Sequence, residues 1–440
     1  MRLLVTLGLA GAAFGATVPK TVTFHKDVLP ILQKHCQSCH RPGEAAPMAF
    51  LTYQQTRPWA KAVRQAVLTR QMPPWFADPA HGRWSNDRRL ERADIDTLVA
   101  WVDSGAREGN PADAPKPVEW VRGWGIGKPD MVFEMPRAFT VPASGTVDYQ
   151  YVIIPTGLTE DKWVRMAEAR PGNRKVVHHI IAFVREPGSK WFADQKPGVP
   201  FAPRPQAETG RRGEPQPRRS GDAGGFSGQE FLVGFAPGSP PEALAPGKAK
   251  LLKAGSDLVL QLHYTANGES ASDKSAIGIV FATEAPRQRV FTSAVTTNRF
   301  SIPPGAARHE VSASLTLRED AELVSLLPHM HLRGRSFLYK AVYPTGETEV
   351  LLNVPGYRFD WQLWYQFAEP KHIPRGTRLE VTGTFDNSAN NRFNPDPTKE
   401  VHWGEQSWEE MMMGFFDVAI DVHMNPADLF RPKKAPPRGD

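Results

Sequence analysis

Apolar residues recur at helical spacing in three segments near the start of the chain. The segments are residues 25–35, 60–71 and 94–106, and each repeats apolar side chains three or four positions apart. Such a stripe lets one face of a helix pack into a core. We therefore predict three helices within residues 22–110, forming a small all-α domain.

Beyond residue 117 the pattern changes to short apolar or alternating runs separated by clusters of Pro, Gly and Asn. The clearest runs are residues 131–133, 149–154, 176–184, 258–264, 276–281, 311–317, 337–343 and 378–384. This pattern predicts strands, and therefore all-β sandwiches or jelly rolls. The stretch is too long for one sandwich, so we predict two jelly-roll domains, at residues 118–290 and 291–430.

Segments rich in Pro, Gly or Arg separate or interrupt these domains. Residues 111–117 are predicted to be a linker, residues 188–228 a flexible insertion in the first β domain, and residues 431–440 a tail. The predicted fold class is therefore multidomain, with a small all-α domain followed by two all-β jelly-roll sandwich domains.

Residues 1–16 have the pattern of a cleaved secretory signal. Arg2 precedes an apolar stretch at residues 3–13, and small residues follow at the cleavage positions. The stretch is too short to span a bilayer. We therefore expect a periplasmic or secreted protein with no transmembrane segment in the mature chain.

The composition fits a chain of several globular domains. Of 440 residues, 40% are apolar and 23% are charged, and the formal net charge is +6. No basic segment is interleaved with aromatic residues, so we expect no nucleic-acid partner.

The only two cysteines stand in the pattern Cys36-x-x-Cys39-His40. Cys-x-x-Cys-His is the signature of covalent haem c attachment, in which both thiols bind the porphyrin and the histidine ligates iron. A redox dithiol is the alternative. With the predicted helices around the motif, the region resembles a small c-type cytochrome. Met72 is the predicted axial ligand, because two prolines place it in an extended loop, and Met48 is its competitor.

Histidines in the β region form three short patterns. His178 and His179 are adjacent, and both could reach one metal only at a bulge or at a strand end. His263 lies in an apolar run. His329 and His331 alternate along what is predicted to be a strand, so their side chains share a face while Met330 points the other way.

A fourth pattern is Glu410 followed by the methionines Met411, Met412 and Met413. Imidazoles suit copper, zinc, iron or nickel, whereas a thioether favours Cu(I). Each of the four patterns alone is more often a core or surface feature.

Taken in order, the four patterns resemble the copper type II, ascorbate-dependent monooxygenases, the family of the peptidylglycine α-hydroxylating and dopamine β-monooxygenases. The resemblance covers residues from about 118 to 430 and is strong only at the motifs. It implies two jelly-roll domains that each hold one copper ion and face each other across an open cleft.

The resemblance also implies two ligand sets. It assigns an electron-storing copper to His178, His179 and His263. It assigns the catalytic copper, which binds oxygen and substrate, to His329, His331 and Met411. Met412 and Met413 remain alternatives to Met411.

The chain departs from this family in two ways. Its β region contains no cysteine, whereas the known members are stapled by disulfides. The positions that anchor the substrate carboxylate in the peptide hydroxylase are Leu327, Met413 and Phe415 here. We therefore expect no peptide-amidating activity and a less polar substrate.

The expected function is that of an exported haem–copper monooxygenase, which hydroxylates a C–H bond of a small organic substrate with dioxygen. Electrons would come from an external donor, pass through haem c, and enter at the copper held by His178, His179 and His263. A non-catalytic haem–copper electron-transfer or copper-binding protein is the alternative, and a ligand-binding module with structural metals is a third candidate.

Overall fold

The computed structural model describes residues 21–44, 46–121, 123–203, 229–236, 241–404 and 406–431. Strands account for about 36% of the chain and helices for about 12%. The predicted signal segment 1–16 lies outside the described residues, as do most of the predicted insertion (residues 204–228) and residues 432–440 of the predicted tail.

The helices of the described residues are short and lie in the N-terminal region. They are α1 (Leu29–His35), α2 (Tyr53–Thr56), α3 (Ala60–Leu68) and α4 (Arg92–Asp103). A π-helical turn, Phe24–Val28, leads into α1, and Phe24 packs against Trp101 of α4 with ring centroids 6.0 Å apart. Among the described helices, none has both the length and the hydropathy needed to cross a bilayer.

The prediction of a separate all-α cytochrome c domain is wrong. The chain between α3 and α4 leaves the helices, and its Trp75 and Trp84 are buried in the largest apolar cluster of the β region. Both indole rings pack against Tyr365, with centroids 4.8 and 5.5 Å away. The helices share a small core that includes Phe24 and Trp101, but the stretch between α3 and α4 packs its two tryptophans against strands instead.

The strands of the first β half enclose one apolar core. They are β1 (Met131–Glu134), β2 (Phe139–Val141), β3 (Gln150–Pro155), β4 (Lys162–Arg170), β5 (Val177–Arg185), β6 (Gln229–Phe235), β7 (Glu242–Ala243), β8 (Lys248–Leu252), β9 (Asp257–Tyr264), β10 (Ala271–Asp273) and β11 (Ala276–Phe281). One sheet contains β1, β11, β4, β7 and β8, and the other has the order β3-β9-β5-β6. Apolar side chains of both sheets, such as Ile180 and Ile277, meet between them and are fully buried.

The second half forms another sandwich. Its strands are β12 (Gln288–Thr296), β13 (Ser301–Ile302), β14 (His309–Thr316), β15 (Ala321–His329), β16 (Gly334–Val342), β17 (Thr348–Val354), β18 (Tyr365–Ile373), β19 (Arg378–Phe385), β20 (Val401–His402) and β21 (Met413–Asp421). The order β12-β21-β15-β18 makes one layer and β14-β19-β16-β17 the other. Side chains from both layers, including Phe337 and Phe416, build its core.

The two sandwiches are joined through a shared sheet. β8 pairs in parallel with β12, with Lys248 opposite Gln288, so nine strands form one continuous sheet. Beside this junction the buried Lys250 Nζ lies 2.7 Å from Glu242 Oε1. The predicted boundary at residue 290 therefore falls inside β12 rather than in a linker.

Candidate metal centre

β5 bulges at His178. Its register with β9 passes from Val177 opposite Tyr264 to His179 opposite His263, which leaves His178 as the extra residue. A bulge turns two consecutive side chains toward the same side. One ligand atom from each of His178, His179 and His263 lies within 4.8 Å of the others. β5 thus has the bulge that two adjacent histidines need to reach one metal, and the three predicted imidazoles lie together.

The three imidazoles are held in their neutral form. Burial, followed by the charge of His178, lowers the pKa of His263 to about 3. Burial also holds the pKa of His179 well below its usual range, and it lowers that of His178 against the opposing effect of Asp360. Neutral imidazole is the form that binds metal, so the group is ready for a metal at neutral pH.

Two ring nitrogens of this group are orphaned. Nδ1 of His178 and Nδ1 of His263 are buried and have no hydrogen-bond partner among the described residues. A buried polar atom without a partner is costly, and metal coordination removes that cost. Three neutral nitrogen donors fit copper, and they also fit zinc.

Tyr149 packs against this group, and nothing in its sequence context indicated that role. Its ring centroid lies 5.6 Å from that of His179 and 4.9 Å from that of His263. Its hydroxyl is hydrogen-bonded to Ser407, in the loop that leads to Met411. The tyrosine therefore connects the first histidine group to the methionine segment.

His329 and His331 lie together, although not on one regular strand. β15 ends at His329, whereas the predicted strand included His331 as well. The two rings are nonetheless 5.2 Å apart at 88°. Met330 is fully buried on the opposite side, as predicted, and the Tyr357 hydroxyl bonds both its N–H (3.0 Å) and its carbonyl (2.7 Å). These contacts fix the backbone between the two histidines.

The Nδ1 atom of each ring in this pair is engaged. His329 Nδ1 lies 2.6 Å from Gln362 Oε1, and His331 Nδ1 lies 3.2 Å from the carbonyl oxygen of Glu409. Such contacts orient a ligating histidine and leave Nε2 for the metal. Burial is the main cause that lowers the pKa of both rings, and that of His331 falls to about 3.

Of the three adjacent methionines, Met412 faces away from the histidines. It is fully buried in the core, and a Cβ at Gly383 would lie 2.9 Å from its Cγ and 3.0 Å from the sulfur of Met330. Met411 and Met413 belong to the apolar cluster on the other face of the sheet, where Met413 pairs with His329. The candidate thioether ligands are therefore Met411 and Met413.

Glu410 fixes the backbone next to His331. Its fully buried carboxylate accepts the N–H of His331 through Oε2 at 2.9 Å and that of Arg333 through Oε1 at 2.7 Å. Burial raises the pKa of Glu410 to about 8, against the opposing effect of these donors. The sequence pointed to this residue only as the neighbour of Met411.

The two histidine groups are neighbours. The ring of Phe359 lies 6.3 Å from that of His178 and 6.1 Å from that of His331. The charges of His329 and His331 are among the causes that lower the pKa of His179. The resemblance implied an open cleft between the groups, whereas here the ring of Phe359 packs against a histidine of each group.

The two cysteines of the Cys-x-x-Cys-His motif are not bonded to each other. Cys36 and Cys39 are both free thiols, and burial raises the pKa of Cys36 to about 12. His40 stacks on Phe50 at 4.4 Å, and its Nδ1 lies 3.3 Å from the Met48 carbonyl. Because that contact occupies Nδ1, a haem attached here would be ligated through Nε2.

Met48 lies close to the motif. Its backbone carbonyl is the partner of His40 Nδ1, and its side chain packs against the same helical core as Cys36. Met72 is partly buried. Met72 therefore stays the predicted axial ligand, with Met48 as its competitor.

An ion-pair chain connects this motif to the first histidine group. Glu44 lies 2.7 Å from Arg41 and 3.2 Å from Arg174. Arg41 also stacks over the indole of Trp120 at 4.2 Å. Arg174 stands four residues before His178, so the motif is held at the start of the strand that carries the first histidine group.

No protein-family model and no curated protein matches the chain. A structure of infectious bursal disease virus Gx strain is 11% identical, covers 68% of this chain and 74% of its own, and has a TM-score of 0.18. An allantoicase is 10% identical over 57% of this chain and 79% of its own, with a TM-score of 0.15. An oxalate decarboxylase of Bacillus subtilis is 9% identical over 71% and 87%, with a TM-score of 0.13. TM-scores this low carry no argument about fold or function.

Proposed function

We propose that this protein is an exported, copper-dependent monooxygenase related to the copper type II, ascorbate-dependent family. The observation that carries the proposal is the convergence of His178, His179 and His263 at a strand bulge, close to the pair His329 and His331, with Phe359 packed against a histidine of each group. Neutral imidazoles this close together are typical of a metal site rather than of an apolar core.

The proposed reaction converts R–H, dioxygen, two electrons and two protons into R–OH and water. Copper held by these residues would supply dioxygen binding and one-electron transfer. The two donor sets differ, since three imidazoles suit both copper oxidation states, whereas a thioether from Met411 or Met413 favours the reduced state. This difference supports the division into an electron-storing group and a catalytic group.

The protein's own residues keep the second group in place. Gln362 and the Glu409 carbonyl hold the two Nδ1 atoms, so both rings present Nε2. Tyr357 and Glu410 fix the backbone on either side of His331. A rigid pair of imidazoles whose Nδ1 atoms are held by the protein is the arrangement that a catalytic copper with an open position requires.

A haem attached at Cys36 and Cys39 would supply electrons one at a time from an external one-electron donor. This role is supported by the ion pairs of Glu44 with Arg41 and Arg174, which hold the Cys-x-x-Cys-His motif at the start of β5. Tethering within one chain raises the effective concentration of a donor without a tight interface. In this proposal the haem takes the place of ascorbate as the immediate reductant.

The test is oxygen uptake by the reduced, copper-loaded protein across a panel of small organic substrates, with labelled dioxygen traced into the product. We expect uptake that depends on substrate and one labelled oxygen atom per product molecule. His329→Ala should abolish labelling, while His423→Ala, at an exposed histidine, should leave it unchanged.

Two other outcomes would replace the proposal. Copper binding and haem reduction without substrate-dependent uptake would identify a non-catalytic electron-transfer or copper-binding protein. Failure to retain copper in the wild-type protein would remove the metal-centre interpretation itself.

A further inference from the structure

Residues 75–86 of the N-terminal region lie against the second sandwich, and we call this segment the strap. Its Trp75 and Trp84 are buried against Tyr365 at the start of β18. β18 is the last strand in the order of its sheet, so the strap covers an edge of that sheet. The strap belongs to the same part of the chain as the Cys-x-x-Cys-His motif.

The end of the strap pairs with β18 as an additional strand would. The N–H of Ser85 donates to the Gln366 carbonyl at 2.9 Å. Trp84 lies opposite Phe367 in an antiparallel bridge. These contacts fix which residue of the strap lies beside which residue of β18.

Asn86 extends this pairing with its side chain. Its Nδ2 donates to the Trp364 carbonyl at 2.8 Å, and its Oδ1 accepts the N–H of Gln366 at 3.1 Å. One side-chain amide thus binds a carbonyl and an N–H two residues apart, as the backbone of a neighbouring antiparallel strand does. Asn86 therefore fixes the direction in which the chain enters β18.

The chain that enters β18 carries Gln362, the partner of His329. Leu326 of β15 lies opposite Tyr365 of β18, and the same register continued by three residues puts His329 opposite Gln362. The distance of 2.6 Å between His329 Nδ1 and Gln362 Oε1 agrees with that register. Movement of the chain at the start of β18 would therefore move the atom that orients His329.

Trp364, whose carbonyl Asn86 holds, also contacts the other parts of the molecule. Its ring centroid lies 5.4 Å from that of Phe231 in the first sandwich. The same side chain packs against the apolar cluster that includes Met413, the residue opposite His329. The N-terminal region, the first sandwich and the second histidine group therefore meet at this tryptophan.

We propose that Asn86 is a positioning residue for the second histidine group, so that the N-terminal region completes this group as well as carrying the haem motif. Asn86 acts through the chain at residues 364–366 on Gln362, which holds His329. Because Gln362 Oε1 is an acceptor, the proton of the neutral imidazole is held at Nδ1 and Nε2 stays unprotonated. The inference rests on the proposed function for its meaning in catalysis, but the orientation of His329 is measured without it.

The first measurement is ¹⁵N NMR of the histidine side chains in full-length, copper-free protein, which reports the ring nitrogen that carries the proton. In the wild-type protein, His329 should be protonated at Nδ1. In Asn86→Ala it should become a mixture of both tautomers, because Gln362 is no longer held opposite it. The signals of His263, in the first histidine group, should not change.

The second measurement is a Cu(I) titration of the full-length protein against a competing chelator. Asn86→Ala should lower the copper affinity of the second histidine group about tenfold and leave that of the first group unchanged. Asn86→Asp has nearly the same size, keeps the acceptor for Gln366 and loses the donor to Trp364, so it should have a smaller effect. This variant also provides the test if Asn86→Ala does not fold.

Asp78→Ala is the matched control. Asp78 lies in the strap and accepts from the side chain of Asn353 in β17 at 3.1 Å, so its loss loosens the strap away from Gln362. This variant should change neither the tautomer of His329 nor the copper affinity of the second histidine group.

Three results would overturn the proposal: equal effects of Asp78→Ala and Asn86→Ala, equal loss of copper from both histidine groups, or protonation of His329 at Nδ1 in every variant. The first two would show that the strap stabilises the fold in general. A selective effect of Asn86→Ala, together with no labelled product from the copper-loaded wild-type protein, would uphold the positioning role and reject the monooxygenase.

Discussion

Glu410 and His331 are joined through the backbone: the fully buried carboxylate accepts the N–H of His331 at 2.9 Å while also holding that of Arg333. Because these bonds fix the backbone around residue 331, they also fix the direction in which the His331 side chain points. Glu410 is therefore a positioning residue for the second histidine group, with no part in binding metal itself.

Replacing Glu410 should loosen the second group alone. Glu410→Leu leaves the backbone N–H groups of His331, Arg333 and Met411 without this acceptor, which should lower the free energy of unfolding by about 2–4 kcal/mol. Copper affinity at the His329 and His331 group should fall about 10- to 100-fold, the usual effect of losing such support. A competition titration with a Cu(I) chelator and urea denaturation would measure the two effects.

Glu410→Gln is the matched comparison, because it keeps one acceptor oxygen and should fall between the wild-type protein and Glu410→Leu. The exposed Glu269→Gln should change neither quantity. An equal loss of copper from both histidine groups in Glu410→Leu would show that the carboxylate supports the fold in general rather than His331 in particular.

Copper should occupy two separable sites despite their closeness. His178→Ala removes a donor from the bulge, and His331→Ala removes one from the other group, so each variant should bind one copper per chain where the wild-type protein binds two. Elemental analysis after dialysis would count the metal. Because Phe359 contacts both groups, each variant should still alter the paramagnetic resonance spectrum of the remaining copper. Loss of both ions in either variant would contradict the two-site interpretation.

The first histidine group was predicted in two ways. Local geometry gave a condition for the doublet, since two adjacent histidines reach one metal only if the strand is irregular, and β5 bulges at His178. The opposite orientation of Met330 followed from alternation along a strand. His263, by contrast, was assigned to the group only through the family resemblance, because its spacing along the chain says nothing about its partners.

Other features depended on long-range packing, which spacing does not reveal. Trp75 and Trp84 occur in a stretch without periodicity, yet both are buried against Tyr365, almost 300 residues further along the chain. Gln362 and Phe359 lie in a loop that carries no motif, although they contact His329 and His178. A separate cytochrome-like domain was predicted because the helical periodicity was considered without these tryptophans.

One haem should be attached covalently per chain. Protein produced with the cytochrome c maturation system should gain the mass of one haem, and Cys36→Ser with Cys39→Ser should abolish the gain, since thioether bonds need both thiols. If Met72 is the axial ligand, Met72→Ala should remove the absorption of a methionine–iron bond and Met48→Ala should leave it. The bare polypeptide mass in the wild-type protein would exclude haem c, and the reverse ligand result would exclude Met72.

The ion pair between Glu44 and Arg174 should govern how fast the haem passes electrons to copper. The pair is mostly buried, with side-chain exposures of 18% and 27%, and Glu44 also bonds Arg41 beside the haem motif. Arg174→Gln should therefore free the motif from the start of β5. Electron transfer slows steeply as its partners separate, so we expect haem reoxidation to slow several-fold while the haem spectrum stays the same.

The measurement begins with haem reduced in the absence of oxygen, after which oxygen and substrate are admitted and the haem absorbance is followed. Copper-free protein and His263→Ala should be slow, because the accepting site is missing in both. Asp103→Asn breaks an exposed pair with Arg64 in the same N-terminal region and should leave the rate unchanged. If Arg174→Gln matches the wild-type rate while His263→Ala is slow, electrons reach the first histidine group without this contact. If copper-free protein matches the wild-type rate, the haem serves another acceptor and the relay to copper must be abandoned.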